Sequence, residues 1–566
     1  MQLEKMKETV KTVIYQAFPR LFGNKNASLK KSGSIKENGV GKFSSFSDSV
    51  LNSLKELGIT HIWYTGVIQH ATQTDYSEFG IRTAHSTTVK GKAGSPYAIK
   101  DYYDVNPDLA DDIRNRMNEF MDLMERTHKA GLKAIIDFVP NHVSREYHSD
   151  NCPPFIEDLG AHDNTNKAFD VNNNFYYIPG STLVLPYNTD AQFENFVYSE
   201  FPARVTGNDC FSTTPSKNDW YETIKLNYGV DYLNGKQKVF TPTPSTWKKM
   251  LEILLFWTEK GVDGFRCDMA EMVPVEFWNW VIPQVKKTRD VCFIAEVYNP
   301  YDYRDYIHNG HFDYLYDKVG LYDTLKEVGW GNVPASRITD CWKAVEGIQD
   351  KMLNFLENHD EQRIASDFFA GNGFAAVPAL LVSALMNTNP FMIYNGQELG
   401  ERGMDEEGYS GRDGRTSIFD YWSMQTVRDW LNGHSSEEAL KLRAFYQTLL
   451  HITKEPVVSQ GAFHDLVYAN FNNERFNTHR HYAFLRKYEN EVLLVVVNFD
   501  CNEHNISVNI PAQAFSLLNI PDNKPAKVKD LFSEEESIGT LTDACPYQLT
   551  LAPLSGKVLK FSYIRE

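Results

Sequence analysis

The chain has 566 residues, a formal charge of −17 and 42% hydrophobic residues, enough length for a large core and more than one domain. So acidic a balance argues against a protein that grips phosphate backbones, which takes clustered Lys and Arg, and so against a nucleic-acid partner. Mean hydropathy is negative and no apolar run approaches the ~18 residues of a membrane span, so no membrane partner is expected either.

In chain order, "MQLEKMKETVKTVIYQAFPRLFG" lacks the apolar core and small-residue cleavage site of a secretory signal, so a cytoplasmic location is expected. Strand-like runs then alternate with helical ones. "TVIYQAF" (12–18) precedes the amphipathic "SFSDSVLNSLKELG". "HIWYTGVIQ" (61–69) is followed, after a loop, by "IRNRMNEFMDLMERTHKAG", helical by its apolar spacing. Next come "KAIIDFVPNH" (133–142), "GFRCD" (264–268), "CFIAEV" (292–297), "FDYLYD" (312–317), "MLNFLENHD" (352–360) and "PFMIYNGQE" (390–398). Helical segments lie between most of them; "STWKKMLEILLFWTEKG" has Ser245 as its expected N-cap. Strands alternating with helices predict a parallel sheet, and eight of them predict a closed (β/α)₈ TIM barrel.

Two stretches break that rhythm. Residues 143–234 are rich in Asn, Asp, Tyr, Pro and Thr with little helical period, too long for a bare loop and so read as an inserted subdomain. From 456 to 566 short β runs such as "HYAFLRKYENEVLLVVVNFD" alternate with turn residues, as in an antiparallel β-sandwich. Residues 1–142 and 235–455 are left for the barrel. The seven cysteines form no CxxC pair or Cys/His cluster and are read as reduced thiols.

In such a barrel the active residues stand at the carboxyl ends of the strands. Those ends carry Asp137, Asn141 and His142, then Arg266 and Asp268, then Glu296, then His359 and Asp360. Paired carboxylates fit glycoside hydrolysis, in which one attacks or stabilises and the other carries a proton. Asp268 beside Arg266 is expected to have its pKa lowered; Glu296, facing other anions, is expected to have its pKa raised. Taken singly, each motif has a plainer reading: Arg-x-Asp is more often a structural ion pair, and "ENHD" could be a helix cap. The same residue types could also ligate a metal, although no HExxH-like pair supports that.

Together, "DFVPNH", "GFRCD", "FIAEV" and "FLENHD" resemble the four ordered signature regions of the α-amylase family, glycoside hydrolase family 13. The resemblance implies a catalytic barrel, an inserted subdomain after the third strand, a C-terminal β domain and a retaining double displacement. It implies Asp268 as nucleophile, Glu296 as general acid/base and Asp360 as transition-state stabiliser, with Arg266, His142 and His359 binding the sugar in subsite −1. "SPYAIKDYYDVNPDL" places Tyr97 as the aromatic platform under that sugar, and "GRDGRTSIFDYW" places Arg415 near it. No cofactor is required for the chemistry. Asn141 matches a position that ligates a structural Ca²⁺ in many members, whereas the family's further calcium loop is not evident in "RLFGNKNASLKK".

The chain also departs from the pattern. Glu271-Met272 stand where many α-amylases carry Lys-His, and Ser95 stands where a His is common. Both leave the −1 chemistry intact and bear on the acceptor side. The expected activity is hydrolysis of α-1,4 bonds in starch-derived maltooligosaccharides or glycogen. The alternatives are transglycosylation through the same intermediate and, in another class, a catalytically inert scaffold, against which the complete carboxylate set argues.

Overall fold

The computed structural model describes residues 10–187, 197–403, 409 and 411–563. Eight strands close into a parallel barrel whose neighbours around the ring follow chain order. They are β1 Val13–Ala17, β2 His61–Tyr64, β3 Lys133–Phe138, β4 Gly264–Cys267, β5 Cys292–Ala295, β6 Tyr314–Tyr316, β7 Met352–Phe355 and β8 Phe391–Tyr394. Each is shorter than the run that marks it in the sequence, because the ends of the run belong to the flanking loops. After β2, Ile68–His70 leaves the barrel and pairs with Ile99–Val105. After β3, His142–Ser144 leaves it and pairs with Thr223–Lys225.

The principal surrounding helices are α1 Asp48–Leu57, α2 Arg116–Lys129, α3 Ser245–Glu259, α4 Val275–Lys286, α5 Tyr303–His308, α6 Asp323–Trp330, α7 Val377–Leu385 and α8 Glu437–Ile452. α1 shows how the sequence specifies them. The Ser47 hydroxyl accepts the Val50 N–H, Leu51, Leu54 and Leu57 form the buried stripe, and Gly58 ends the helix at φ 119°. Ser245 does not cap α3 as expected. Pro244 occupies the N-cap without a side-chain cap bond and Ser245 is the first helical residue; the Ser245 hydroxyl instead accepts from Asn174 Nδ2 at 3.4 Å.

The C-terminal region is an antiparallel six-stranded sheet facing a two-stranded one, His504–Val508 with Tyr547–Leu551. The strand Glu491–Asn498 explains why its sequence is apolar without alternation. Leu493, Val495 and Val497 join the core that includes the barrel, while Val492, Leu494 and Val496 join Ile506, Val508 and Leu551 in a second core between the sheets. The insertion has a small core of its own (Leu183, Leu185, Ala203, Tyr221) and relies on polar ties. Buried Arg145 donates to Glu200 Oε1 at 2.8 Å, Tyr221 O at 2.7 Å and Thr223 O at 2.9 Å. All seven cysteines are free thiols.

Two buried cations meet at the carboxyl end of α7, the negative end of the helix dipole, and one of them ties the sandwich to the barrel. Lys11 Nζ donates to Ala384 O at 2.6 Å and Asn387 O at 2.7 Å. Arg486, from the C-terminal sheet, donates to Leu385 O at 2.9 Å, Val458 O at 2.8 Å and Gly461 O at 2.5 Å. Burial pushes the Arg486 guanidinium down to about 9, so it remains charged at neutral pH. Arg486→Met would leave three buried carbonyls without a donor and is expected to cost about 2–4 kcal/mol, read as a fall in the urea midpoint; an unchanged midpoint would show that the clamp contributes nothing.

Candidate active site

Arg266, on β4, is fully buried. Register sets Arg266 beside Asp137 on β3 and Ile294 on β5, and the barrel's inward alternation points its side chain along the axis. Its Nη1 donates to Asp268 Oδ1 at 2.7 Å and lies 3.8 Å from Asp137 Oδ1. Nη2 contacts Glu296 Oε2 at 2.8 Å, and Nε donates to the Tyr316 hydroxyl at 3.1 Å. The guanidinium carbon sits 5.2, 5.3 and 5.5 Å from the ring centroids of Trp63, Tyr97 and Tyr316, so aromatic faces supply further negative potential. Arg266 therefore serves two carboxylates rather than Asp268 alone.

That sharing corrects the electrostatic expectation for Asp268. Burial and the neighbouring Glu296 carboxylate push Asp268 well above the ordinary carboxylate range, and the opposing pull of Arg266 does not cancel them. Glu296 is held from two sides: the Met269 N–H donates to Oε2 at 2.7 Å and the Tyr298 hydroxyl donates to Oε1 at 2.5 Å. Met269 reaches this position with φ +44°, a left-handed conformation that costs a residue with a β-carbon about 1–2 kcal/mol and turns the chain sharply just after Asp268.

Across the mouth, Asp360 Oδ2 lies 3.0 Å from His359 Nε2. Burial opposes its ionisation, but His359, Arg266 and Arg415 outweigh it and hold the carboxyl down to about 2. His359 is itself set by Gln16 Nε2 at 2.8 Å from Nδ1 and by the Tyr97 hydroxyl at 2.6 Å from Nε2. Ser95 supports the same tyrosine, its hydroxyl accepting the Tyr97 N–H at 3.2 Å. His142 packs its ring 5.1 Å from that of Trp220. Burial and the charges of Lys225 and Lys90 push it down to about 3, so it is neutral at neutral pH.

Asp268, Glu296, Asp360, Tyr97 and His142 line one cleft of ≈ 290 Å³, with Arg266 and His359 buried beneath it. Arg415 does not join that lining. It is exposed on its turn, with its Nε 3.8 Å from Asp413 Oδ2, and acts on Asp360 through its charge. The sequence reading missed Tyr298, Trp220 and the ion pair of Lys90 with Glu222 (2.8 Å), all of which line the cleft. Tyr298 had a legible signal, since it lies two residues beyond Glu296 and so on the same side of an extended segment. The others arrive on long loops with no local pattern to mark them.

The position expected to hold Ca²⁺ does not fit a calcium ion. The buried Lys225 ammonium is 2.8 Å from Asn141 Oδ1 and 2.5 Å from Asp209 Oδ1, and Asn141 Nδ2 donates to Gly207 O at 2.8 Å. A fixed cation thus takes the oxygens that a divalent ion would need. EDTA is therefore expected to leave the melting temperature unchanged. Lys225→Met, which strips that charge from Asn141 and the partly exposed Asp209, is expected to cost about 2–4 kcal/mol. A chelator-induced drop in melting temperature that Ca²⁺ restores would overturn this.

The family model described as the α-amylase catalytic domain matches residues 16–431. The chain is 23% identical over 457 residues to α-amylase 3 of Dictyoglomus thermophilum, covering 76% of this chain and 80% of that one. It is 21% identical over 525 residues to a cyclomaltodextrinase of Geobacillus thermopakistaniensis, covering 90% and 72%. Its fold is similar to that of an α-amylase from Geobacillus thermoleovorans solved in complex with acarbose, with a TM-score of 0.63 at 18% identity over 99% of this chain and 100% of that one. The matched span takes in the end of β1, the other seven barrel strands whole and the charged mouth, and the chain accordingly belongs to the α-amylase family, glycoside hydrolase family 13, as an enzyme of the glycosidase type.

Proposed function

We propose that this family member hydrolyses α-1,4-glucosidic bonds of maltooligosaccharides, derived from starch or glycogen, with retention of configuration. The observation that carries the reading is the single guanidinium touching both Asp268 and Glu296, at 2.7 and 2.8 Å. Two carboxyls on the two terminal nitrogens of one planar group are held close. A retaining pair stands ~5–5.5 Å apart, whereas an inverting pair needs ~6.5–9.5 Å to admit a water.

In this reading Asp268 attacks the anomeric carbon while Glu296 delivers its proton to the departing glycosidic oxygen. The bond to the leaving sugar breaks as the bond to Asp268 forms. Glu296, now ionised, takes a proton from water, whose oxygen displaces Asp268 from the sugar. Asp360, kept ionised, faces the positive charge that develops on the ring. Tyr97 offers a flat face to the sugar's C–H groups, His142 holds its hydroxyls, and His359 fixes Tyr97 and Asp360 from beneath, with Arg415 at the rim. No step needs a cofactor.

A second reading, transfer of the glycosyl group to another sugar, is favoured by Tyr301. It stands 94% exposed three residues beyond Tyr298 on the loop that follows β5, as a flat face on which an acceptor sugar can stack.

Chromatography of products from maltoheptaose separates these readings. Shorter sugars alone, with α-anomers seen by NMR and activity reduced about 10⁴-fold or more in Asp268→Asn, are expected for the hydrolase. Products longer than the substrate would make it a transferase, and no turnover on this or branched glucans would overturn both. Because Asp268 must be ionised to attack and its pKa is raised, the acid limb of kcat/KM is expected above the ordinary carboxylate range. An acid limb at or below that range would show that Arg266 dominates after all.

A further inference from the structure

Glu271 occupies the position where the family resemblance leads one to expect a lysine, and its carboxylate is engaged within the protein. Glu271 Oε2 accepts the backbone N–H groups of Tyr298 at 2.9 Å and Asn299 at 3.0 Å. Those amides begin the loop that follows β5, and the Tyr298 hydroxyl on that loop donates to Glu296 Oε1 at 2.5 Å. Glu271 lies in the short turn Ala270–Met272, next to Met269, whose own N–H donates to Glu296 Oε2 at 2.7 Å. The turn after β4 and the loop after β5 therefore grip the Glu296 carboxyl together, one oxygen each, and Glu271 fastens the two to each other.

We propose that Tyr298 is a positioning residue for Glu296, and that Glu271 holds it in place by binding the backbone of its loop. This rests on the assignment of Glu296 as the acid/base. A carboxyl with two rotatable bonds presents its proton productively only if its plane is fixed, and a donor on each oxygen fixes it. Donors to a carboxylate also favour its ionised form. Glu296 must surrender its proton in the first half-reaction and remain ionised for the second, so Tyr298 adjusts the balance between the two. The other groups that face Glu296 are Arg266 on β4, Asp268 just after it and Tyr316 on β6, while Asp360 after β7 faces Tyr298 and Asp268; Tyr303 and Tyr306 face Glu271. None of these makes the Tyr298 bond redundant, because Arg266 and the Met269 amide both meet the opposite oxygen, Oε2.

The test is a double-mutant cycle with pH profiles on maltoheptaose. Tyr298→Phe is expected to lower kcat about tenfold, with a smaller change in KM, and to move the alkaline limb up by about one pH unit. Glu271→Ala is expected to do the same by releasing the loop, Glu271→Gln to retain most activity because its amide oxygen can still accept both N–H groups, and the double variant Glu271→Ala/Tyr298→Phe to be no worse than Tyr298→Phe. An unmoved alkaline limb in Tyr298→Phe, or effects that multiply in the double variant, would overturn the proposal. Infrared difference spectra keep the test independent of the substrate: the carboxyl band assigned through Glu296→Gln should persist to higher pH in Tyr298→Phe than in the wild type. If the wild type fails on α-glucans while this band shifts, the functional reading falls and the positioning role stands.

Discussion

The mouth of this barrel is organised around a charge that cannot reach water. A fully buried guanidinium costs several kcal/mol in lost hydration unless its surroundings replace the solvent. Arg266 meets that cost with Asp268, Glu296, the more distant Asp137, the Tyr316 hydroxyl and three aromatic faces. The dependence runs both ways. The buried carboxylates would repel one another without the cation, and the cation would be untenable without them. This mutual requirement places the Asp268 and Glu296 carboxyls on one rigid planar group, and it requires β3, β4, β5 and β6 to sit in one register.

The remaining architecture supports that point from outside the barrel wall. The C-terminal sheet packs one face of Glu491–Asn498 against the core it shares with the barrel, and sends Arg486 to the end of α7. The inserted segment brings Trp220, Glu222 and Thr223 to the cleft wall and Lys225 to Asn141 at the end of the third strand's run. The cleft is thus a joint product of barrel and insertion. The barrel provides the carboxyls fixed just past its strand ends, and the insertion provides the wall beside them.

The departures from the family pattern acquire physical content in this frame. Ser95 fastens the backbone of Tyr97. Glu271 fastens the backbone of the loop bearing Tyr298. In both places a small or anionic side chain is turned to the protein's own amides, where the family resemblance leads one to expect a histidine or a lysine.

Much of this was legible in the sequence, because the relevant signals are local. The alternation of short apolar runs with helical periods marks eight strands, and the residues just past each run mark the carboxyl rim, so Asp268, Glu296, Asp360, Arg266 and His359 are found without coordinates. What the sequence could not determine depends on contacts between segments far apart in the chain. Lys225 reaches Asn141 across 84 residues, Glu271 reaches Tyr298 across 27, and Arg266 divides itself between two carboxylates only once the strands close. The direction in which Asp268 is shifted follows from how completely the mouth excludes water, a property of the closed barrel and its insertion together. Residue types placed along the chain fix which chemical groups stand at the rim, but which of them touch, and how strongly, follows only from the closed barrel, because burial and distance set the strength of an interaction between charges.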